Sequence, residues 1–168
     1  MSLETSLIRG VSKQFGVRST DMKYGGQVDG DCLRKTAVWD FNYDSLPVGG
    51  ATNQEHVIPA NSVILSAKLR IITAFTSTST TTDLTVGLEQ SGGTDIDVDG
   101  LITAAQATQT TIAVAPSVID GASGTPAALI NATIGTADGE LIVQSSAADL
   151  LTGRAQVIVE YLIPAAAP

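Results

Sequence analysis

From about residue 36 onward the chain alternates apolar and polar residues with a period of two, and no other feature narrows its possible folds as far. Successive side chains on a strand point to opposite faces, so this pattern reads as half-buried β-structure. Ala37, Trp39, Phe41 and Tyr43 share one face of a first strand, which Ser45-Leu46-Pro47 and Gly49-Gly50 close. Pro59-Ala60-Asn61 is a turn, because proline fixes φ and asparagine tolerates the left-handed region. Leu65, Ala67, Leu69 and Ile71 then alternate with Ser66, Lys68 and Arg70, and Leu84-Thr85-Val86-Gly87-Leu88 alternates again after a Thr/Ser tract, 76–82, read as a hairpin loop. Further strands are expected at 112–115, 129–134 and 140–144, and a short helical piece within 100–107. In the last strand Ala155, Val157, Val159, Tyr161 and Ile163 face one way, Gln156, Ile158, Glu160 and Leu162 the other. Seven or eight strands at about ten-residue spacing, without a long helical pattern, predict an all-β fold: an antiparallel β-sandwich of jelly-roll type.

Charge divides the chain differently. Residues 1–35 hold Arg9, Lys13, Arg18, Lys23, Arg34 and Lys35, a net of +2, whereas residues 36–168 have a net of -10 within a total of -8. The first segment is also broken up by glycines. Leu3, Leu7, Ile8 and Val11 fit one short amphipathic helix, so residues 1–35 read as an N-terminal arm and residues 36–168 as the sandwich domain. A nucleic-acid binder that neutralises phosphates needs the opposite overall sign. With no basic stretch followed by an apolar one at the start and no run near 18 apolar residues, neither a signal peptide nor a membrane partner is expected, and synthesis in a cytoplasm is.

Few residues offer chemistry. One cysteine, Cys32, excludes an intramolecular disulfide framework, and one histidine, His56, is the single candidate for any triad. No Gly-x-Ser-x-Gly elbow accompanies His56, and the acids beside Cys32 raise a thiol pKa, so no catalytic residue is expected and the chain reads as a non-enzyme. The sharpest motif is Asp95-x-Asp97-x-Asp99-Gly100, with Gln106 at the twelfth place. Carboxylates at the first, third and fifth positions and glycine at the sixth resemble a calcium loop, in which oxygens converge on one hard cation. Gln106 is a weaker ligand than the usual glutamate. The alternative has Ile96 and Val98 turned inward while the three carboxylates face water, and no other cofactor is expected.

The ordered series His56-Val57-Ile58-Pro59-Ala60-Asn61-Ser62-Val63-Ile64, Leu84-Thr85-Val86-Gly87, Asp99-Gly100-Leu101-Ile102-Thr103-Ala104, Gly139-Glu140-Leu141-Ile142-Val143 and 151–161 resembles small β-sandwich structural proteins of tailed bacteriophages. In that group an Ile-Pro-Ala-Gly type turn leads into a long strand and the chain closes on Ala-x-Val-x-Val-x-Tyr. Here Asn61 stands in the glycine's place. The resemblance covers about residues 55–162, and members of the group are capsid decoration, or cement, proteins. It implies a virion component on the capsid surface that bridges neighbouring major capsid proteins and forms a homotrimer. Arg9, Lys13, Arg18 and Lys23 of the arm would then contact the capsid or a neighbouring subunit. The other function class compatible with such a sandwich is a receptor- or glycan-binding module of a head or tail fibre, to which the small number of aromatic residues offers little stacking surface.

Overall fold

A computed structural model of the chain describes residues 5–6, 10–11, 34–46, 51–90, 93–146 and 150–163, with the backbone alone for 5, 6, 10, 11 and 51–56. The chain divides into two compact units, residues 1–33 and 34–168. In the first, β1 (Thr5–Ser6) pairs antiparallel with β2 (Gly10–Val11), Thr5 opposite Val11, where the apolar spacing had suggested a helix. Arg9, Lys13, Arg18, Lys23 and Cys32 lie outside the described residues.

The second unit is an antiparallel sandwich of two four-stranded sheets. Its strands are β3 (Arg34–Asn42), β4 (Ala51–Ile58), β5 (Val63–Ser77), β6 (Leu84–Gln90), β7 (Thr94–Ile102), β8 (Ser117–Asp120), β9 (Gly139–Ser145) and β10 (Leu150–Leu162). A single helical turn, α1 (Gln109–Ile112), separates β7 from β8. The first sheet runs β3-β10-β5-β8 and the second β4-β9-β6-β7. Both orders have one origin. β6 pairs with β7, β5 with β8, β4 with β9 and β3 with β10, so the chain is a long hairpin nested four deep. Rolling that double ribbon adds the pairs β10–β5 and β9–β6, and two four-stranded sheets result. This is the jelly roll, which disposes of most strand edges without closing a barrel. Arg34 and Lys35 belong to β3, opposite Leu162 and Tyr161.

The alternation places the core between the sheets. Ala37, Trp39 and Phe41 of β3, Ala67, Leu69 and Ile71 of β5 and Ala155, Val157 and Val159 of β10 meet Leu84, Val86 and Leu88 of β6 and Leu141 and Val143 of β9. Trp39, Phe41 and Phe75 form an aromatic row with centroid separations of 5.7 and 5.9 Å. Each fully buried Leu, Ile, Val or Phe contributes about 1.5–3 kcal/mol. Two glycines are imposed by packing. A Cβ on Gly153, at φ +136°, would lie 2.0 Å from the Phe75 ring, and one on Gly87 would lie 2.0 Å from the Asp97 carbonyl oxygen and 2.3 Å from the Val98 carbonyl carbon.

Local expectations fare unevenly. Asn61 takes φ +59° in the turn where proline and asparagine predict it, with the Ala60 N–H donating to Asp138 Oδ1 at 2.8 Å. In β5, however, Ile64 and not Leu65 is fully buried: the register slips between Glu160–Ser66 and Tyr161–Ile64, and this bulge turns Leu65 out of phase. Tyr43 leaves the face of Trp39 because the chain enters a 3-10 turn, Tyr43–Ser45. Residues 76–82 are not a hairpin loop, since β5 and β6 belong to different sheets. The strand β7 absorbs Leu101 and Ile102, both fully buried, and the helical turn comes later, at Gln109. Ile112 therefore ends a helix, and Leu129, Ile130 and Ile134 plug the core from turns about Asn131, which is left-handed at φ +63°.

Candidate interaction surface

The outward face of the first sheet is assembled from rows of register partners. One row is Thr36–Glu160–Ser66, the next Val38–Ile158–Lys68–Asp120, the next Asp40–Gln156–Arg70–Val118. Every lysine and arginine of residues 34–168 stands on this sheet: Arg34, Lys35, Lys68, Arg70 and Arg154. Its acids are Asp40, Asp120 and Glu160, and each is already engaged. Arg34 and Ser66 both donate to Glu160 Oε2, Gln156 Nε2 donates to Asp40 Oδ1 at 3.0 Å with Arg154 3.6 Å from Asp40 Oδ2, and the Ala122 N–H donates to Asp120 Oδ1 at 2.9 Å. The Arg34 hydrogen bond is the main reason that the Glu160 carboxyl lies below the ordinary glutamate pKa, with Ser66 and the positive charges of Arg34 and Lys68 adding to it against some desolvation. Lys68 and Arg70 are exposed, and neither forms an ion pair among the described residues. Exposed Val38, Ile72 and Val118, the last 60% exposed, surround them.

The second sheet is the electrical opposite. Its strands contain Glu55, Glu89, Asp95, Asp97, Asp99 and Glu140 and no lysine or arginine. Glu89 lies directly opposite Glu140 on one side and Asp95 on the other, a run of like charges across three strands. Such opposition is unfavourable. Glu89 and Glu140 are nevertheless buried at 6% exposure, and Glu140 Oε2 has no hydrogen-bond partner. Ile142, two residues along β9, is also buried, yet it stands outside the cluster formed by Leu141 and Val143.

The Asp95-x-Asp97-x-Asp99 motif is a bulged edge strand. Val86 pairs with Ile102 and Leu88 with Asp97, so Gly87 alone faces the stretch 98–101, and the close approach at Gly87 is that bulge seen from below. Asp97 is half-buried, and its Oδ1 accepts the Asp99 N–H at 3.3 Å, while Asp95 and Asp99 are exposed. Burial, then the side chain of Asp99, pushes the Asp97 carboxyl above the ordinary aspartate value. Among the described residues no three His, Cys, Asp or Glu side chains are grouped to hold a metal ion. Gln106, the would-be twelfth ligand, instead caps the turns beyond β7: its Oε1 accepts the Thr103 N–H, and its Nε2 reaches the Gly121, Ser123 and Thr125 carbonyls. The backbone of His56 lies in β4; its side chain is outside the described residues.

Sequence reasoning missed the cationic face. The signal was present in Lys68-x-Arg70, two like charges in phase on an alternating strand, but its meaning depends on β3 and β10 lying alongside.

No protein-family model matches the chain, and no curated protein matches it. Among solved structures, a chain of the acid-stable capsid of the Helicobacter pylori bacteriophage KHP30 aligns over 79% of this chain and 89% of its own, with a TM-score of 0.51 and 14% identity. A chain of the capsid asymmetric unit of cyanophage Pam1 aligns over 78% and 85% (TM-score 0.49, 17% identity), and one of the capsid of Ralstonia phage GP4 over 79% and 86% (0.49, 19%). The likeness to the KHP30 chain is one of fold: almost the whole of that chain shares the architecture described above.

Proposed function

We propose that this chain is a structural, non-enzymatic component of a bacteriophage virion that decorates the capsid surface, bridges neighbouring major capsid proteins and associates as a homotrimer. The observation that carries this reading is the eight-stranded roll, whose fold is that of a chain found in the KHP30 capsid. The phage-type turn and closing-strand pattern of residues 55–162 supports it. A body of two sheets packed on one apolar core suits a rigid clamp, and a net charge of -8 keeps many copies soluble side by side. Residues 1–35, with Arg9, Lys13, Arg18 and Lys23, are assigned to attachment. Purified protein mixed with undecorated capsids should co-sediment with them at saturating stoichiometry and ignore host cells. Binding to cells and not to capsids would replace this reading with a fibre-type receptor module.

A further inference from the structure

We infer that the outward face of β3-β10-β5-β8, centred on Lys68 and Arg70, docks the acidic edge strand β7 of a second copy of this chain through Asp95 and Asp99. The inference deepens the trimer within the function proposed above by naming the surface that makes it.

Charge balance within the face gives the first reason. Its three acids are each held by an arginine, an amide or a backbone N–H, while Lys68 and Arg70 are exposed and have no ion-pair partner among the described residues, on a chain whose second sheet carries carboxylates and no lysine or arginine. The second reason is the partner surface the chain itself provides. β7 is an edge of a sheet whose strands hold no lysine or arginine, and Asp95 and Asp99 are exposed on it with half-buried Ile96 and Val98 between. Side-chain character matches as well as sign: Lys68 and Arg70 stand among Val38, Ile72 and Val118, so both surfaces mix charge with aliphatic groups, as interface cores and rims do. Because the two surfaces differ, the contact is head to tail, and a head-to-tail contact closes into a ring when its rotation permits.

The test is sedimentation of the full chain at several concentrations, with capsid co-sedimentation in parallel. Wild type should self-associate, more weakly at 1 M than at 0.15 M salt, as the screening length falls from about 8 Å to about 3 Å. Lys68→Glu with Arg70→Glu, and separately Asp95→Lys with Asp99→Lys, should each weaken association about a hundredfold while far-UV circular dichroism and Tm report an intact sandwich. The milder Lys68→Ala with Arg70→Ala covers the case in which reversal disturbs the fold. One chain carrying all four reversals should associate again, because the charges are exchanged and still complementary. A wild type that stays monomeric overturns the inference, as does a Lys68→Glu, Arg70→Glu chain that keeps the wild-type oligomer or a four-reversal chain that stays apart. Loss of capsid binding by that double variant, with wild type monomeric, assigns the face to another protein and also overturns it. An oligomer that obeys these charge rules but ignores capsids defeats the decoration reading and leaves this inference standing.

Discussion

The first sheet carries both signs of charge, satisfies its acids and leaves its outward face wet; the second carries only carboxylates and buries two of them on its outward side. The polarity of this molecule is therefore a polarity of layers. A linear count places the basic residues mostly before residue 36, but Lys68, Arg70 and Arg154 join Arg34 and Lys35 only because β3, β5 and β10 become neighbours. Carboxylates behave differently in the two layers for the same reason. Glu160 has a guanidinium and a hydroxyl donating to it and is held in its charged form, whereas Asp97 is drawn out of water beside Asp99 and resists ionisation.

The largest expected effect tests the packing of the second sheet. Gly87→Ala places a methyl group against the β7 backbone, which cannot step aside as a flexible side chain can, and should cost about 3 kcal/mol or more in urea unfolding. A variant of wild-type stability would mean that β7 does not cross Gly87 so closely. Next, Glu140→Met should stabilise the protein by about 1–3 kcal/mol, since a buried acceptor without a partner carries its desolvation cost uncompensated. A drop in the unfolding midpoint would show that the carboxylate has a partner that matters.

Smaller effects separate the sheets by the sign of their pH dependence. The depressed pKa of Glu160 contributes stability that is present above the ordinary carboxylate value and is lost as pH falls through the folded value. Glu160→Gln should lower Tm slightly at pH 7, and the difference should vanish as pH falls through the folded value. Asp97 has the opposite sign: its raised pKa lets the folded state take up a proton first, so stability rises as pH falls through that value. Asp97→Asn, which can still accept the Asp99 N–H, should raise Tm at pH 7 by a small margin that shrinks in acid. If the two substitutions shift Tm in the same direction at pH 7, the contrast between the layers fails.

Much of the strand content was legible because burial on one face enforces alternation, as in 37–41, 67–71 and 155–161. Register was less so. The bulge at Leu65 inserts one residue into a regular pattern, and only the partner strand β10 reveals it. Leu101 and Ile102 looked helical within a run of small residues, yet both are fully buried at the end of β7, where Ile102 pairs with Val86. The aspartate motif had the spacing of a cation loop, but a register shift falls inside it, so Asp95 pairs with Glu89 and Asp97 with Leu88 and the three carboxylates do not form one evenly spaced row. Neither the charged faces nor the Glu89–Glu140 opposition could be seen in the chain, because both are products of pairing between distant strands.

The nesting of the hairpin also sets an order of assembly. β6 and β7 are consecutive in the chain and close at the lowest loop entropy, and each outer pair then needs only its own connections brought together, with β3 and β10 last. Folding should be slow, in the millisecond-to-second range of non-local β topologies. Destabilising the β6–β7 pair should chiefly retard folding, and destabilising β3–β10 should chiefly hasten unfolding. On this expectation the edge strand β3, paired only with β10 in its sheet, should be the last element to engage and the first to release.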